Sequence, residues 1–375
     1  MRRHRCVLTG KWCADDDHAA YDHRKMFNAW LDSDDDEAND LLKALGIGKV
    51  VAPSKALFAG DRVAYGEELE RFQTRRLEFA LGYGRLDDHW FGKNRAHFNA
   101  LLEPLKVQHV VPFVGAGISC AASLPTWTAH ILHQAKSAGF DVTVVLSRLK
   151  RGEYEVIIDE IIASRGRGLF LQEMRDAFDH DVTDFSLASM VVQLTKSVIV
   201  TTNYDRVLEQ ALRSLGEHFP EIVTATEDNA RIIRAQSNGQ RALLKIHGDI
   251  RSPASYILSG AQYDDCYGAG VPDMKLALPR KLRHVFEHGS LLFLGCRLVE
   301  DRTISVFENL VMEAGLANVP RHFAVLEAPA SDADLVARNS RLAGLSIDAI
   351  WYPEGAHEYV RLILAELLEQ LRSPA

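Results

Sequence analysis

The 375-residue sequence predicts an α/β fold, a mostly parallel sheet with helices on both faces. Three observations predict it. Short β-branched runs recur from His109 onward, helical segments alternate with them, and several runs end in glycine or small polar residues. With 47% apolar and 25% charged residues, the chain can bury one large core or two domains without staples.

Residues 1–105 read differently from the rest. Asp15 to Asp17 and Asp34 to Glu37 are acidic runs, expected as solvated loops. Glu67 to Ala80 places Leu69, Phe72, Phe79 and Ala80 near one helical stripe, and Asn94 to Leu105 repeats the pattern. This region is expected to be a helical extension that serves as a docking or oligomerisation arm and carries no chemistry.

Residues 106–375 carry the sheet. The expected strands are His109–Val114, Ser197–Thr201, Glu221–Thr226, Ala242–Ile246, Leu291–Leu294, His322–Leu326 and Ile347–Tyr352. Trp127 to Val192 has helical patterns but few strand signals, so a small helical module is expected at about residues 127–192. Helices are expected over Tyr204–Leu215, Asp301–Gly315 and Glu358–Leu371. The last spaces Val360, Ile363, Leu364, Leu367 and Leu371 three or four apart, which turns one face to the sheet.

A formal net charge of −8 opposes nonspecific attraction to phosphate backbones, so direct nucleic-acid binding is not expected. The charged N-terminus lacks the apolar core of a signal peptide, and the longest apolar runs, such as Leu291 to Gly295, are too short to cross a bilayer. A cytoplasmic protein is expected, with no membrane partner. Five cysteines, at positions 6, 13, 120, 266 and 296, show no paired spacing of a zinc or redox site and read as free thiols.

Four motifs follow strands. In the first, Val110 to Val114 runs into Gly115-Ala116-Gly117-Ile118-Ser119, where glycines let the backbone approach a pyrophosphate and helix-start N–H groups meet its charge. A dehydrogenase would follow with a third glycine or alanine and an acidic residue some twenty positions on. Cys120 and the chain-breaking Leu124-Pro125-Thr126-Trp127 disfavour hydride transfer. The second motif is Thr201-Thr202-Asn203-Tyr204-Asp205; Asn203 can donate and accept at once, suiting a ribose hydroxyl or a water, while either Asn203 or Asp205 could instead cap the next helix. The third, Lys245-Ile246-His247-Gly248-Asp249, offers a histidine with a near-neutral ordinary pKa as general base. In the fourth, Gly295-Cys296-Arg297-Leu298 with Asp301 behind it, Gly295 leaves room at the backbone and Arg297 could meet phosphate.

In this order the motifs resemble the sirtuin family, most closely its bacterial zinc-free branch associated with anti-phage defence. The resemblance spans about residues 109–301 and leaves the first hundred uncovered. It implies a Rossmann-like NAD-binding domain with a smaller inserted module. It puts Gly115, Ala116, Gly117 and Ser119 at the NAD phosphates, Asn203 and Asp205, beside Thr202, at the nicotinamide ribose and carboxamide, His247 as the base, and Gly295 and Arg297 near the adenosine half. Sirtuins usually carry Ser where Arg297 stands. Sirtuin deacylases also carry a four-cysteine zinc module after the histidine motif, whereas only Cys266 lies in that interval, so no zinc is expected.

The expected function is hydrolysis of NAD to nicotinamide and ADP-ribose. The alternatives are a deacylase or ADP-ribosyltransferase, and a non-catalytic NAD or ADP-ribose sensor. A toxic NADase implies a resting site that is kept off, and the resemblance suggests control by assembly, through a homo-oligomer or a partner such as a HerA-like ATPase or an Argonaute-type protein.

Overall fold

The computed structural model of the chain describes residues 3–5, 12–14, 21, 22, 24–47, 52–298 and 301–372. Strands β1 (Arg3–Arg5) and β2 (Trp12–Ala14), which the sequence pattern does not announce, form an antiparallel pair. The Asp15–Asp17 run and Cys6 lie outside the described residues.

The remaining strands are β3 (Val110–Val114), β4 (Val198–Thr201), β5 (Glu221–Thr224), β6 (Ala242–Lys245), β7 (Ser290–Leu294), β8 (His322–Glu327) and β9 (Ile347–Tyr352). They form one sheet in the order β5-β6-β4-β3-β7-β8-β9, and every pairing is parallel. With the edge strand β5 set aside, this is the 3-2-1-4-5-6 order of a dinucleotide-binding sheet. The seven expected strands are all present, and the parallel character is complete.

Alternation along each strand separates two cores. Val110, Val114, Ile199, Leu243, Leu292 and Leu294 face one side, packed with helices Asp88–Lys106 and Glu358–Arg372 and with the five helices between Trp127 and Leu194. Val111, Phe113, Val198, Val200, Leu244 and Phe293 face the other, under helices Ala277–His288, Arg302–Ala314 and Asp332–Ala343. Strands buried on both faces read as continuous apolar runs, which is why sequence found them. The inserted helices share the core of their face instead of forming a separate one.

The N-terminal helices hold a small core of their own, Phe27, Leu31, Leu42, Leu57 and Tyr65. Asp32 fixes it by accepting from Ser54 N at 2.8 Å and Ser54 Oγ at 2.7 Å. The unit leans on the last helix through an Arg76–Glu366 ion pair and the Phe79–Tyr359 ring stack. Helix Asp88–Lys106 belongs to the sheet: Asn94 Nδ2 donates to Trp351 O at 2.7 Å, and Asn94 Oδ1 accepts from Trp351 N at 2.8 Å.

Several boundaries lie a residue from expectation, and three larger differences each arise because a carboxylate caps a backbone. The acidic run at Asp34 to Glu37 is exposed as expected, but only Asp34 and Asp35 are loop; Asp35 accepts from Glu37 N and Ala38 N and starts helix Asp36–Ala44, whose first turn favours negative charge. Strand β5 stops at Thr224 because Glu227 Oε2 takes Thr224 N and Oγ1 at 2.6 and 2.9 Å. The helix expected from Tyr204 begins at Val207, whose N–H donates to Asp205 Oδ1 at 3.0 Å.

Candidate functional site

Register brings the four motifs to one edge of the sheet. Val114 pairs with Thr201 on one side and Leu294 on the other, and Thr201 pairs with Lys245, so the turns after β3, β4, β6 and β7 leave the sheet side by side. Chain connections diverge between β3 and β7, the switch point at which open α/β sheets bind ligands.

The first and fourth motifs interlock there, largely through backbone. Gly115 N donates to Leu294 O at 2.9 Å, and Gly117 N to Gly295 O at 3.0 Å. A Cβ on Gly115 would stand 2.5 Å from Gly295 O, and one on Gly117 2.8 Å from Gly295 Cα. Gly295 itself has φ +67°, with a Cβ position 2.7 Å from Ile118 N. Close approach of two protein backbones thus demands these glycines, independently of any ligand. Ala116 opens the short helix Ala116–Cys120. Arg297 is exposed, and its carbonyl accepts from Arg338 Nη2 at 2.6 Å.

The second motif is tied to the first. Thr202 N donates to Val114 O at 3.1 Å, and Thr201 Oγ1 to the same carbonyl at 2.9 Å. Asn203 Nδ2 donates to Gly115 O at 3.0 Å and to buried Ser119 Oγ at 2.9 Å. Both amide hydrogens are then committed within the protein. Asn203 Oδ1, 3.3 Å from Thr202 Oγ1, keeps lone-pair capacity for a hydroxyl or water. Asp205 takes the capping role, with its carboxylate on Val207 N and its carbonyl accepting from Lys245 Nζ at 2.6 Å. Burial, and then the Asp205 charge, push the Cys120 thiol up.

Lys245 carries a role that the motif concealed. Fully buried at the end of β6, its ammonium ion-pairs with Glu209 Oε1 at 2.9 Å and stands 3.8 Å from Asp249 Oδ2. A lysine inside the run Leu243-Leu244-Lys245-Ile246 was the available signal, since a buried charge needs partners. Lys245 thereby joins the second motif to the third from below.

His247 is half-buried, and burial lowers its pKa to about 4, so the imidazole is neutral near pH 7. Its Nε2 lies 3.2 Å from Tyr267 Oη, and Tyr267 Oη lies 2.9 Å from Thr303 Oγ1. Gly248, at φ +121°, leaves no room for a Cβ, which would meet Ser255 O at 2.6 Å. Tyr263 completes an aromatic wall, its ring centroid 5.5 Å from that of His247 and 5.9 Å from that of Tyr267. Behind it, Arg302 donates to Glu155 Oε1 and Oε2 at 3.0 and 2.8 Å and to Asp264 Oδ1 at 2.7 Å, with its guanidinium 5.7 Å from the Tyr263 ring. Asp301 caps the same helix through Ile304 N at 2.9 Å. No sequence signal marked Tyr263, Tyr267, Arg302 or Thr303.

A surface cavity of about 350 Å³ lies beside the third motif, between the end of β5 and the Asp249 to Ser255 turn, and a larger one sits in the N-terminal helices. Neither includes Asn203 or His247 in its lining. Among the described residues, no group of three or more His, Cys, Asp or Glu side chains is placed to hold a metal ion, and no helix is long and apolar enough to cross a membrane. Cys120, Cys266 and Cys296 are free thiols.

Residues 197–350 match the family model described as a SIR2-like domain, so the chain carries a SIR2-like segment that takes in the second, third and fourth motifs. The chain is 26% identical over 147 residues to "Defense-associated sirtuin 2" of Bacillus subtilis, a match covering 38% of this chain and 13% of that protein. It is 23% identical over 163 residues to "NAD(+) hydrolase ThsA" of Cytobacillus dafuensis, covering 44% and 31%, and 25% identical over 152 residues to the protein of that name from Bacillus cereus (strain MSX-D12), covering 40% and 30%. The match therefore spans less than a third of each of these relatives. The resemblance read from the motifs and the comparisons agree in pointing to bacterial proteins with a SIR2-like domain, one of which is named as defense-associated.

Proposed function

We propose that the chain hydrolyses the nicotinamide–ribose bond of NAD, giving nicotinamide and ADP-ribose. What supports this reading most is the meeting of the glycine turn, Asn203 and His247 at the switch point of a parallel sheet, in a chain similar to proteins named NAD(+) hydrolase. Gly115, Ala116, Gly117 and Ser119 would face the phosphates and Thr202 the ribose, with Gly295 and Arg297 toward the adenosine half.

When the glycosidic bond breaks, nicotinamide leaves with the bonding pair and the ribose becomes oxocarbenium-like. Water adds at the anomeric carbon, and its proton passes to His247. A histidine of lowered pKa is a weak base but a reliable acceptor, because it remains neutral; a hydroxyl next to a developing cation is acidified and needs no strong base. Asn203 Oδ1 orients the attacking water or the ribose hydroxyl. Asp205 acts through its cap and its carbonyl on Lys245, setting the position of Asn203.

The similarity to a defense-associated sirtuin supports a role as an NAD-depleting effector in bacterial anti-phage defence, with activity held off until the chain self-associates or meets a partner such as a HerA-like ATPase. In an assay of NAD consumption, Asn203→Ala and His247→Ala each lower turnover by about a hundredfold or more. Full activity in both variants rejects this site.

A further inference from the structure

We infer that Tyr267 and Thr303 hold the proton of the neutral His247 ring on Nε2, which leaves Nδ1 as the nitrogen that accepts the proton in the reaction. The part given to Nδ1 rests on the function proposed above; the position of the ring proton does not.

The three groups form a chain, His247 Nε2 to Tyr267 Oη at 3.2 Å and Tyr267 Oη to Thr303 Oγ1 at 2.9 Å. A phenol has one hydrogen to give, so it donates to one neighbour and accepts from the other. The lengths select the direction. A separation of 3.2 Å falls in the range of an N–H donating to oxygen and is long for an O–H donor, whereas 2.9 Å is ordinary for O–H to oxygen. The imidazole therefore donates to Tyr267, and Tyr267 donates to Thr303. Among the described residues none hydrogen-bonds to His247 Nδ1, so its lone pair is left for a ligand.

The surroundings hold this arrangement in place. Tyr267 is buried, its ring stacks on Tyr263, and its carbonyl accepts from Asp273 N at 2.7 Å. Thr303 is buried in the first turn of helix Arg302–Ala314, whose start Asp301 caps. Burial raises the Tyr267 phenol well above its ordinary pKa, so it remains a neutral hydroxyl throughout. Tyr267 is thus a positioning residue that sets the tautomer of the base, as a hydrogen bond on one ring nitrogen does for the other.

The test uses the full chain labelled with ¹⁵N in histidine, near pH 7, with the ring signals of His247 identified by their loss in His247→Gln. The native chain shows a protonated Nε2 and a bare Nδ1. Tyr267→Phe, which keeps the ring, gives averaged tautomer signals and a kcat for NAD lowered about tenfold, with KM changed less than about twofold. Thr303→Val moves both readouts the same way, and Thr303→Ser restores them. A proton found on Nδ1 in the native chain overturns the inference, as does an unchanged tautomer in both Tyr267→Phe and Thr303→Val. If the native chain turns over no NAD under any condition, the proposed function fails, and the ring signals alone decide the place of the proton.

Discussion

Two residues define what the site can tolerate. At Gly295, a positive φ coincides with a Cβ position 2.7 Å from Ile118 N, so Gly295→Ala must strain the backbone or part the two turns. We expect a loss of roughly 1–3 kcal/mol in denaturant unfolding, together with weakened NAD binding. Lys245 is the second. Lys245→Met leaves Glu209 as a buried, unpaired carboxylate and is expected to cost about 3–5 kcal/mol, while the double change Lys245→Met with Glu209→Met regains most of that loss. A double variant as unstable as the single one would show that the pair is not the source. The glycines were legible from sequence as a turn, but part of their reason was not, because the neighbour that demands Gly115 and Gly117 is Gly295, far along the chain.

Among elements, the strands were the most readable and the connections the least. A parallel strand covered on both faces must be apolar throughout, and β9 appears at the bounds its sequence suggests. Boundaries moved where a side chain competed for the backbone, as Glu227 does at Thr224 and Asp205 at Val207. The wall behind His247 was invisible because it joins residues 20 and 36 positions apart. One link couples elements directly: Arg302 ties the helix after the fourth motif to Glu155 of the inserted helices and to Asp264 of helix Gly260–Tyr267. Its partners are partly exposed, so its value lies in placement more than in stability. Arg302→Ala is expected to leave the melting temperature nearly unchanged and to speed amide hydrogen exchange in residues 154–165 and 260–268. Equal exchange in both proteins would show that the link does not order the wall.

Across the whole molecule, histidines desolvated by the fold set the acid limit. His130 and His247 are lowered by burial to about 4 and His322 to about 3. Above about pH 6.5 they are neutral both folded and unfolded and add no pH dependence. Below it the unfolded chain takes up protons that the folded chain refuses, so stability falls continuously toward pH 4. Glu366, raised by burial to about 6, works in the opposite sense between pH 6 and 4.5, and Asp301 is raised by burial too, but they are two groups against four, since burial also lowers His284. The melting temperature should therefore drop between pH 7 and 5; a flat profile would show that these rings are already protonated in the fold.

The most direct test of the central claim is to incubate the purified full chain with NAD, without any acylated protein, and to separate the products by chromatography. Nicotinamide and ADP-ribose in equal amounts, absent with His247→Ala, are the predicted result. NAD consumed only when an acyl-lysine peptide is supplied would contradict it.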